Sequence, residues 1–453
     1  MSPLDRVLSY VDDSAEQMIA DLLPVLRQPS ISATGEGIRE CAEMLARLLT
    51  DEGIEAQIVE TAGHPVVVGR TADVVDAPRL LVYGHYDVQP ADPLEDWATP
   101  PFEPTIRDGR IYGRGSGDNK GQFFAQLMGY RAWRAVAGNA PINLTFVLDG
   151  EEECGSEHLP DFARANPDLV AADVAYLSDG PVDDSGSYRV VLGVRGILAL
   201  ELRTSGASRD YHSGHLGNLL PNPAWELVEA LHTMRASDGR ILIDGFFDGV
   251  QEPDAATRDA VAALPVDLPA FFRDHGVDHL APLPEAGFHE RLMFQPTLNI
   301  SGLQAGYAGQ GSKTIIPNTA VARLDIRLVV DQDPADIYRK VCRHLERHAP
   351  GVTVRQLGGG VRPSRTPVHH PAVDLIRDAV ERATGETPLV LPSTGGTLPD
   401  YVFTEIAGLP LVKVPYANAD EANHAPNENL ELARFVSGVR IAAAVYDAMA
   451  RFT

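Results

Sequence analysis

RLLVYGHYDV (residues 79–88) decides the fold. It is an apolar run of strand length that closes on two side chains with chemistry to offer, His85 and Asp87. INLTFVLDG (142–150) and VAYLSD (174–179) repeat the arrangement, the first followed by Glu151–Glu153 and the second ending on Asp179. Between the first two runs the spacing predicts a helix over 122–137, with Phe123, Phe124, Leu127 and Met128 on its apolar side. Strands that alternate with helices build a parallel sheet covered on both faces. Upstream, residues 12–28 and 37–53 read as two amphipathic helices, the second ending at Gly53, and Gln89 to Gly121 reads as a loop crowded with Pro and Asp.

Near residue 190 the pattern changes. A half-buried strand (196–206), a helix opened by Pro (221–234) and a helix-rich stretch to about 293 precede PTLNISGL, TAVARLDIRLVV, the helix ADIYRKVCRHLERHA and the strand VTVRQL. Without the insert, the order is β-α-β-β-α-β, a compact two-layer unit. After Pro363 the first pattern resumes with a helix from Ala372 and the strand LVKV (411–414). The fold class is therefore α/β: a doubly wound, mostly parallel sheet domain from residues 1–189 and 364–453, interrupted by a smaller α+β domain, 190–363. A length of 453 residues agrees with two cores.

Composition narrows the partners. Sixty-three acidic against 38 basic residues give a formal charge of −25, which repels nucleic acid and anionic membrane. Three scattered cysteines make no disulfide framework and suit a reducing cytoplasm. The first residues are acidic and amphipathic, unlike a signal peptide, and no apolar run reaches membrane-spanning length.

The strand ends carry the chemistry. In an open parallel sheet ligands gather at the carboxyl ends of the strands. His85, Asp87, Glu151–Glu153, Asp179 and His424, in the loop after LVKV, converge there. Imidazole nitrogen and carboxylate oxygen together suit zinc, although each residue alone reads as a solvated or core side chain. GRGSGDNKG (113–121) has glycines enough to cradle a phosphate, but Lys120 lacks the Ser or Thr that should follow it. Asp118 reads equally as a helix N-cap. His344 and His348 read as a solvated helix face, His212 and His215 as substrate-facing or structural, and Cys154 as a small buried thiol.

Taken together, GHYDVQP (84–90), Trp97, PPFEP, DGRIYGRGSGDNKG, EEECGS, SDG, HSGHLG and NHAPNE resemble the dizinc exopeptidase and deacylase family of carnosinase, aminoacylase, carboxypeptidase G and succinyl-diaminopimelate desuccinylase. The match is collinear from about residue 20 to 440, and the long insert with GSKTIIPN is most similar to the cytosolic carnosinase-like dipeptidases. The resemblance implies two zinc ions per subunit, with manganese or cobalt as alternatives. His85 and Asp179 would hold one ion, Glu153 and His424 the other, and Asp118 would bridge them, followed by a cis peptide to Asn119. Asp87 would fix the His85 tautomer. Glu152 would be the general base, with Glu151 a bystander. Asp173 and Asp183 compete with Asp179 for its role.

The same resemblance makes the insert a lid and dimerisation domain, with His212 reaching the partner's reaction centre as an oxyanion donor assisted by Thr314. Arg327 would grip the substrate's free carboxylate, near Gly396 and Thr397. Its alternative is a strand-surface ion pair with Asp325 or Asp331. Asn119 stands where many relatives have Asp, and Asp400 is a candidate to receive a basic substrate group. The activity implied is zinc-dependent hydrolysis of dipeptides or short peptides with a free C-terminus, by a water that Glu152 deprotonates. An N-acyl-amino-acid amidohydrolase, of deacylase or desuccinylase type, is the alternative on the same chemistry. A non-catalytic scaffold is a third reading, opposed by the complete ligand set. The expected partners are a small peptide or N-acyl amino acid and a second copy of the chain.

Overall fold

The structure is a computed structural model that describes residues 1–281 and 287–452. The chain divides into two compact units, one formed by Met1–Gly193, Arg365–Pro392 and Pro399–Thr453, the other by Val194–Ser364 with Ser393–Leu398. In chain order the first unit begins with helices α1 (Pro3–Asp13), α2 (Ala15–Arg27) and α3 (Ile38–Asp51). Strands β1 (Glu55–Val59), β2 (Val66–Arg70) and β3 (Arg79–His85), helix α4 (Lys120–Ala137), and strands β4 (Asn143–Asp149), β5 (Val174–Leu177) and β6 (Arg189–Val191) follow. The second unit supplies β7 (Gly196–Ser205), α5 (Pro223–Met234), β8 (Thr297–Ala305), β9 (Thr319–Leu328), α6 (Pro334–His348) and β10 (Thr353–Val361). The chain then returns through α7 (Pro371–Thr384), β11 (Leu389–Leu391), β12 (Leu411–Lys413) and α8 (Leu432–Met449).

The first unit is one eight-stranded sheet in the order β1-β2-β4-β3-β5-β12-β6-β11. Its centre, β4-β3-β5-β12, is parallel, as a doubly wound fold requires. Strand β3 shows why both faces must be covered. Leu80 and Val82 enter a core with Phe123, Phe124, Val439 and Tyr446. Leu81 and Tyr83 alternate into a second core with Phe162, Val402 and Phe403. Helices α4 and α8 pack so closely that a Cβ at Gly129 would lie 2.8 Å from the Ala442 Cβ.

Three local readings change. The predicted helix over 12–28 is the end of one helix and the whole of the next, broken at Ser14, whose backbone leaves the helical region. The Pro- and Asp-rich loop contains two short strands, Thr105–Arg107 and Arg110–Tyr112, joined at Asp108 and Gly109, both with positive φ. That Asp-Gly pair is the hairpin signal in the sequence; three-residue strands are too short to show periodicity. Arg110–Tyr112 also pairs with Asn429–Glu431. Finally, His344 is not solvated: it is buried, with Nε2 2.9 Å from the Thr233 hydroxyl.

The second unit is a four-stranded antiparallel sheet, β8-β9-β7-β10. Leu198, Leu200, Leu202, Leu324, Ile326 and Leu328 face a core shared with Leu227 and Met234 of α5 and Val341 and Leu345 of α6. Alternation puts Glu201, Arg323, Asp325 and Arg327 on the opposite face. Residues 393–398 join this unit because Arg195 N–H donates to Gly396 O at 3.0 Å and the Thr397 hydroxyl donates to Arg195 O at 2.8 Å. No helix among the described residues is long and apolar enough to cross a membrane.

Phe435 of α8 is fully buried and stacks on Phe124 at 6.3 Å between ring centroids. Phe435→Ala is expected to cost about 3–5 kcal/mol, read as a lower urea midpoint for the first unit's unfolding.

Candidate metal centre

Parallel strands present their carboxyl ends on one side, and the side chains singled out by sequence meet there. His85 ends β3, Asp118 precedes α4, Glu152 and Glu153 form a 3₁₀ turn after β4, and Asp179 lies two residues beyond β5. His424 comes from the loop after β12, at a φ of 57°. Two groups result, His85–Asp118–Asp179 and Asp118–Glu153–His424, each with its ligand atoms within 4.8 Å of one another. Asp118 belongs to both. Its Oδ1 is 3.0 Å from His85 Nε2 and its Oδ2 is 3.1 Å from His424 Nε2. His424 Nε2 is also 3.0 Å from Glu153 Oε2. Asp179 Oδ2 lies 3.8 Å from His85 Nε2 and, although buried, has no hydrogen-bond partner. The competing acids are engaged elsewhere: Asp173 accepts from Arg79 N–H, and Asp183 from Ser185.

Electrostatics state what the cluster needs. Burial, and then the charge of Asp118, pushes the Asp179 carboxyl up to about 7. Burial raises Glu152 well above the carboxylate range; Asp179, Glu153 and Asp118 add to that, against the pull of His85. Asp118 would also be raised by burial, but hydrogen bonds from His424 and His85 hold it below its ordinary value. Hydrogen bonds to Asp118 and Glu153 push His424 up to about 10. Crowded carboxylates, an orphaned buried oxygen and two imidazoles converging on a shared Asp form a donor set that fits a pair of divalent cations.

A second tier of contacts fixes this geometry. Asp87 is fully buried, with Oδ1 3.3 Å from His85 Nδ1. Its carboxylate also accepts the N–H of Glu152 at 3.2 Å and of Glu153 at 3.0 Å, so one side chain sets both strand ends. Gln89 donates to Glu153 Oε2 at 3.0 Å. Asn119 donates to Ser178 O at 2.7 Å and accepts from His85 N–H at 3.3 Å, and the Asp118–Asn119 peptide is cis. The donated bond explains why Asn serves here: an ionised Asp has no proton to give Ser178. Glu151 is more than a bystander, since it accepts from His64 N–H at 2.9 Å and faces His158 Nδ1. Cys154 is exposed rather than buried, because it ends the 3₁₀ turn just before Gly155.

Sequence reading missed Glu428. Its fully buried carboxylate accepts from Arg114 Nη1 at 2.8 Å and from the N–H groups of Gly115, Gly117 and Asp118 at 2.9, 2.9 and 3.0 Å. The glycine-rich loop therefore cradles an anion supplied by the chain itself, which removes the phosphate reading. The signal available was the acid four residues beyond His424, but only the fold pairs it with a loop some 310 positions earlier.

The other nominated residues, Asp400 apart, lie in the second unit. Arg327 Nη1 donates to the Thr397 hydroxyl at 2.6 Å. Asp325 accepts from Asn299 instead, so the surface ion-pair reading falls away. His212 Nε2 is 3.5 Å from the Thr314 hydroxyl and its ring stacks on His215. Asp400 is wholly buried in the first unit, 3.7 Å from Lys413 Nζ, and so is closed to any substrate group.

Residues 81–448 match the model of peptidase family M20/M25/M40. The chain belongs to that family. It is thus a hydrolase of peptide bonds, and the motif resemblance to the carnosinase-like branch holds. The chain is 28% identical to human Beta-Ala-His dipeptidase over 85% of its own length and 78% of the relative's. It is 26% identical to the Cys-Gly metallodipeptidase dug1 of Schizosaccharomyces pombe over 97% and 96%. Among solved structures, the M20 metallo-carboxypeptidase Sso-CP2 of Sulfolobus solfataricus superposes with a TM-score of 0.88 at 33% identity, covering 96% of this chain and 99% of that one. Human carnosine dipeptidase 1 gives 0.81 at 25%, with complete coverage of both.

Because Arg114 is as buried as Glu428, neutralising the carboxylate strands a cation. Glu428→Gln should cost about 3–5 kcal/mol in denaturant unfolding and lower the metal retained per chain, read by elemental analysis.

Proposed function

We propose that the chain is a zinc-dependent dipeptidase that cleaves dipeptides and short peptides with a free C-terminal carboxylate. The observation that carries this reading is the shared Asp118 between two ligand groups, with Glu152 beside them. His85 and Asp179 would hold one ion, Glu153 and His424 the other, with Asp118 between. Such a pair supplies Lewis acidity to an amide carbonyl and lowers the pKa of a water towards neutrality.

The chain's own groups do the rest. Glu152 Oε2 lies 3.9 Å from His85 Nε2, and burial raises the proton affinity of its carboxylate. A carboxyl poised in that way takes a proton from water and returns it to the leaving amine. Asp87 holds the His85 ring and, through two backbone bonds, the turn carrying Glu152 and Glu153. Arg327 grips the substrate's carboxylate as a fork, positioned by Thr397 and the Gly396 segment. His212 with Thr314 would donate to the tetrahedral oxyanion.

The same reading makes the protein a homodimer in which His212 serves the partner's reaction centre. Strand β8, at the edge of the second unit's sheet, supports a surface for this, because Ile300 and Leu303 are exposed along it. Three free cysteines agree with a reducing cytoplasm.

Glu152→Gln is expected to lower kcat at least about 100-fold with metal content unchanged; full turnover by the metal-loaded variant would remove Glu152 as the base. Zinc-replenished protein should cleave free dipeptides and spare their C-terminal amides, and Arg327→Lys should raise KM for the free acids more than it lowers kcat. Cleavage of N-acyl amino acids alone would move the chain to the deacylase reading. Sedimentation should show a dimer; an active monomer would end the role of His212 in trans.

A further inference from the structure

The sheet face of the second unit that carries Arg327 opens on a cavity of about 440 Å³. Four guanidiniums line it: Arg327 from β9, Arg195 just before β7, Arg235 at the end of α5, and Arg291, which donates to Ala281 O at 2.8 Å. Arg195 is buried, and its Nε and Nη2 both donate to the single carbonyl of Gly395. Arg327 spends one nitrogen on Thr397. Among the described residues Arg195, Arg235 and Arg327 lie within ion-pairing distance of no carboxylate. The one acid among the described residues that line the cavity is Asp325, which accepts from the Asn299 amide at 3.0 Å. Burial, and then repulsion from Arg327, pulls Arg195 down to about 10.

A protein with 25 more acids than bases has no shortage of carboxylates to pair with an arginine. Arg195, Arg235 and Arg327, which share one cavity and have no such partner among the described residues, suit a negatively charged ligand. One anion, the substrate's α-carboxylate, accounts for Arg327. Arg195 and Arg235 remain, and planar guanidiniums match carboxylates in preference to other polar groups. The volume suits an amino-acid residue.

We infer that this cavity takes a second carboxylate, the side chain of a C-terminal aspartyl or glutamyl residue, so that acidic dipeptides are the preferred substrates. The inference rests on the assignment of Arg327 to the α-carboxylate.

Two measurements test it on the zinc-loaded protein. The first compares kcat/KM for Gly-Glu, Gly-Asp, Gly-Ala and Gly-Lys. The acidic pair should exceed Gly-Ala by about ten- to hundredfold, the range of one charged hydrogen-bonded contact, with Gly-Lys lowest. In Arg235→Gln, an exposed position where folding is not at stake, the Glu-to-Ala ratio should fall towards one. The second measures binding of L-glutamate and L-alanine by calorimetry, with L-glutamate at least tenfold tighter and the difference lost in the variant. Equal rates and equal affinities would overturn the acidic subsite and leave the dipeptidase reading standing. Tight, Arg235-dependent glutamate binding with no dipeptide cleaved would support the subsite and overturn the dipeptidase reading instead. An acidic preference that survives in Arg235→Gln would overturn the placement of the second carboxylate at this arginine.

Discussion

One carboxylate organises the first unit's reaction centre without facing it. Glu428 neutralises Arg114 and gathers three consecutive-loop amides, the last of them the N–H of Asp118. Asp118 is the only residue common to both ligand groups, so its position sets both. Burial raises the Glu428 carboxyl, while Arg114 and the amides act against that rise. Bonds of a charged acceptor to several donors are the strong kind, and removing one partner in a buried pair is costly. The short sheet that pairs Arg110–Tyr112 with Asn429–Glu431 brings the two loops together on either side of this carboxylate.

The remaining geometry is built by a similar economy of contacts. Asp87 reaches across from the end of β3 to the turn after β4, and Asn119 joins the ends of β3 and β5. Each side chain links two neighbouring parallel strands at the edge where their ladders stop. Rigid strand ends braced in this way hold ligands to the tolerance that a metal pair demands. Concentrated negative charge is the cost of such a centre. The raised carboxyls of Glu152 and Asp179 record it, and it makes the centre selective for cations and leaves a proton carrier at hand.

The second unit solves a different problem. Its leucine-rich face packs on α5 and α6, which leaves the opposite face free to carry charge. Arginines are concentrated there although the chain as a whole is acidic. The first unit concentrates carboxylates at its strand ends, whereas arginines gather around this cavity of the second, so the two carry opposite local fields.

Much of this was legible in the sequence. Apolar runs closed by His85, Glu153 and Asp179 specify buried parallel strands with ligands at their carboxyl ends, because periodicity and burial are local properties. The motif set GHYDVQP, GDNKG, EEECGS and NHAPNE was enough to nominate the metal-binding side chains and their family. Tertiary structure decided what depends on partners distant in the chain. Glu428 could be seen as an acid but not as the anion held by the glycine loop, and His344 could be seen on a helix but not against Thr233. Asp400 looked available until burial beside Lys413 closed it. Arg327 had a strand-surface ion pair as its alternative role until the fold gave Asp325 to Asn299 and set four arginines around one cavity. Local sequence determines which residue types lie on which element. Desolvation and pairing, which set their charge and their work, depend on neighbours that only the folded chain supplies.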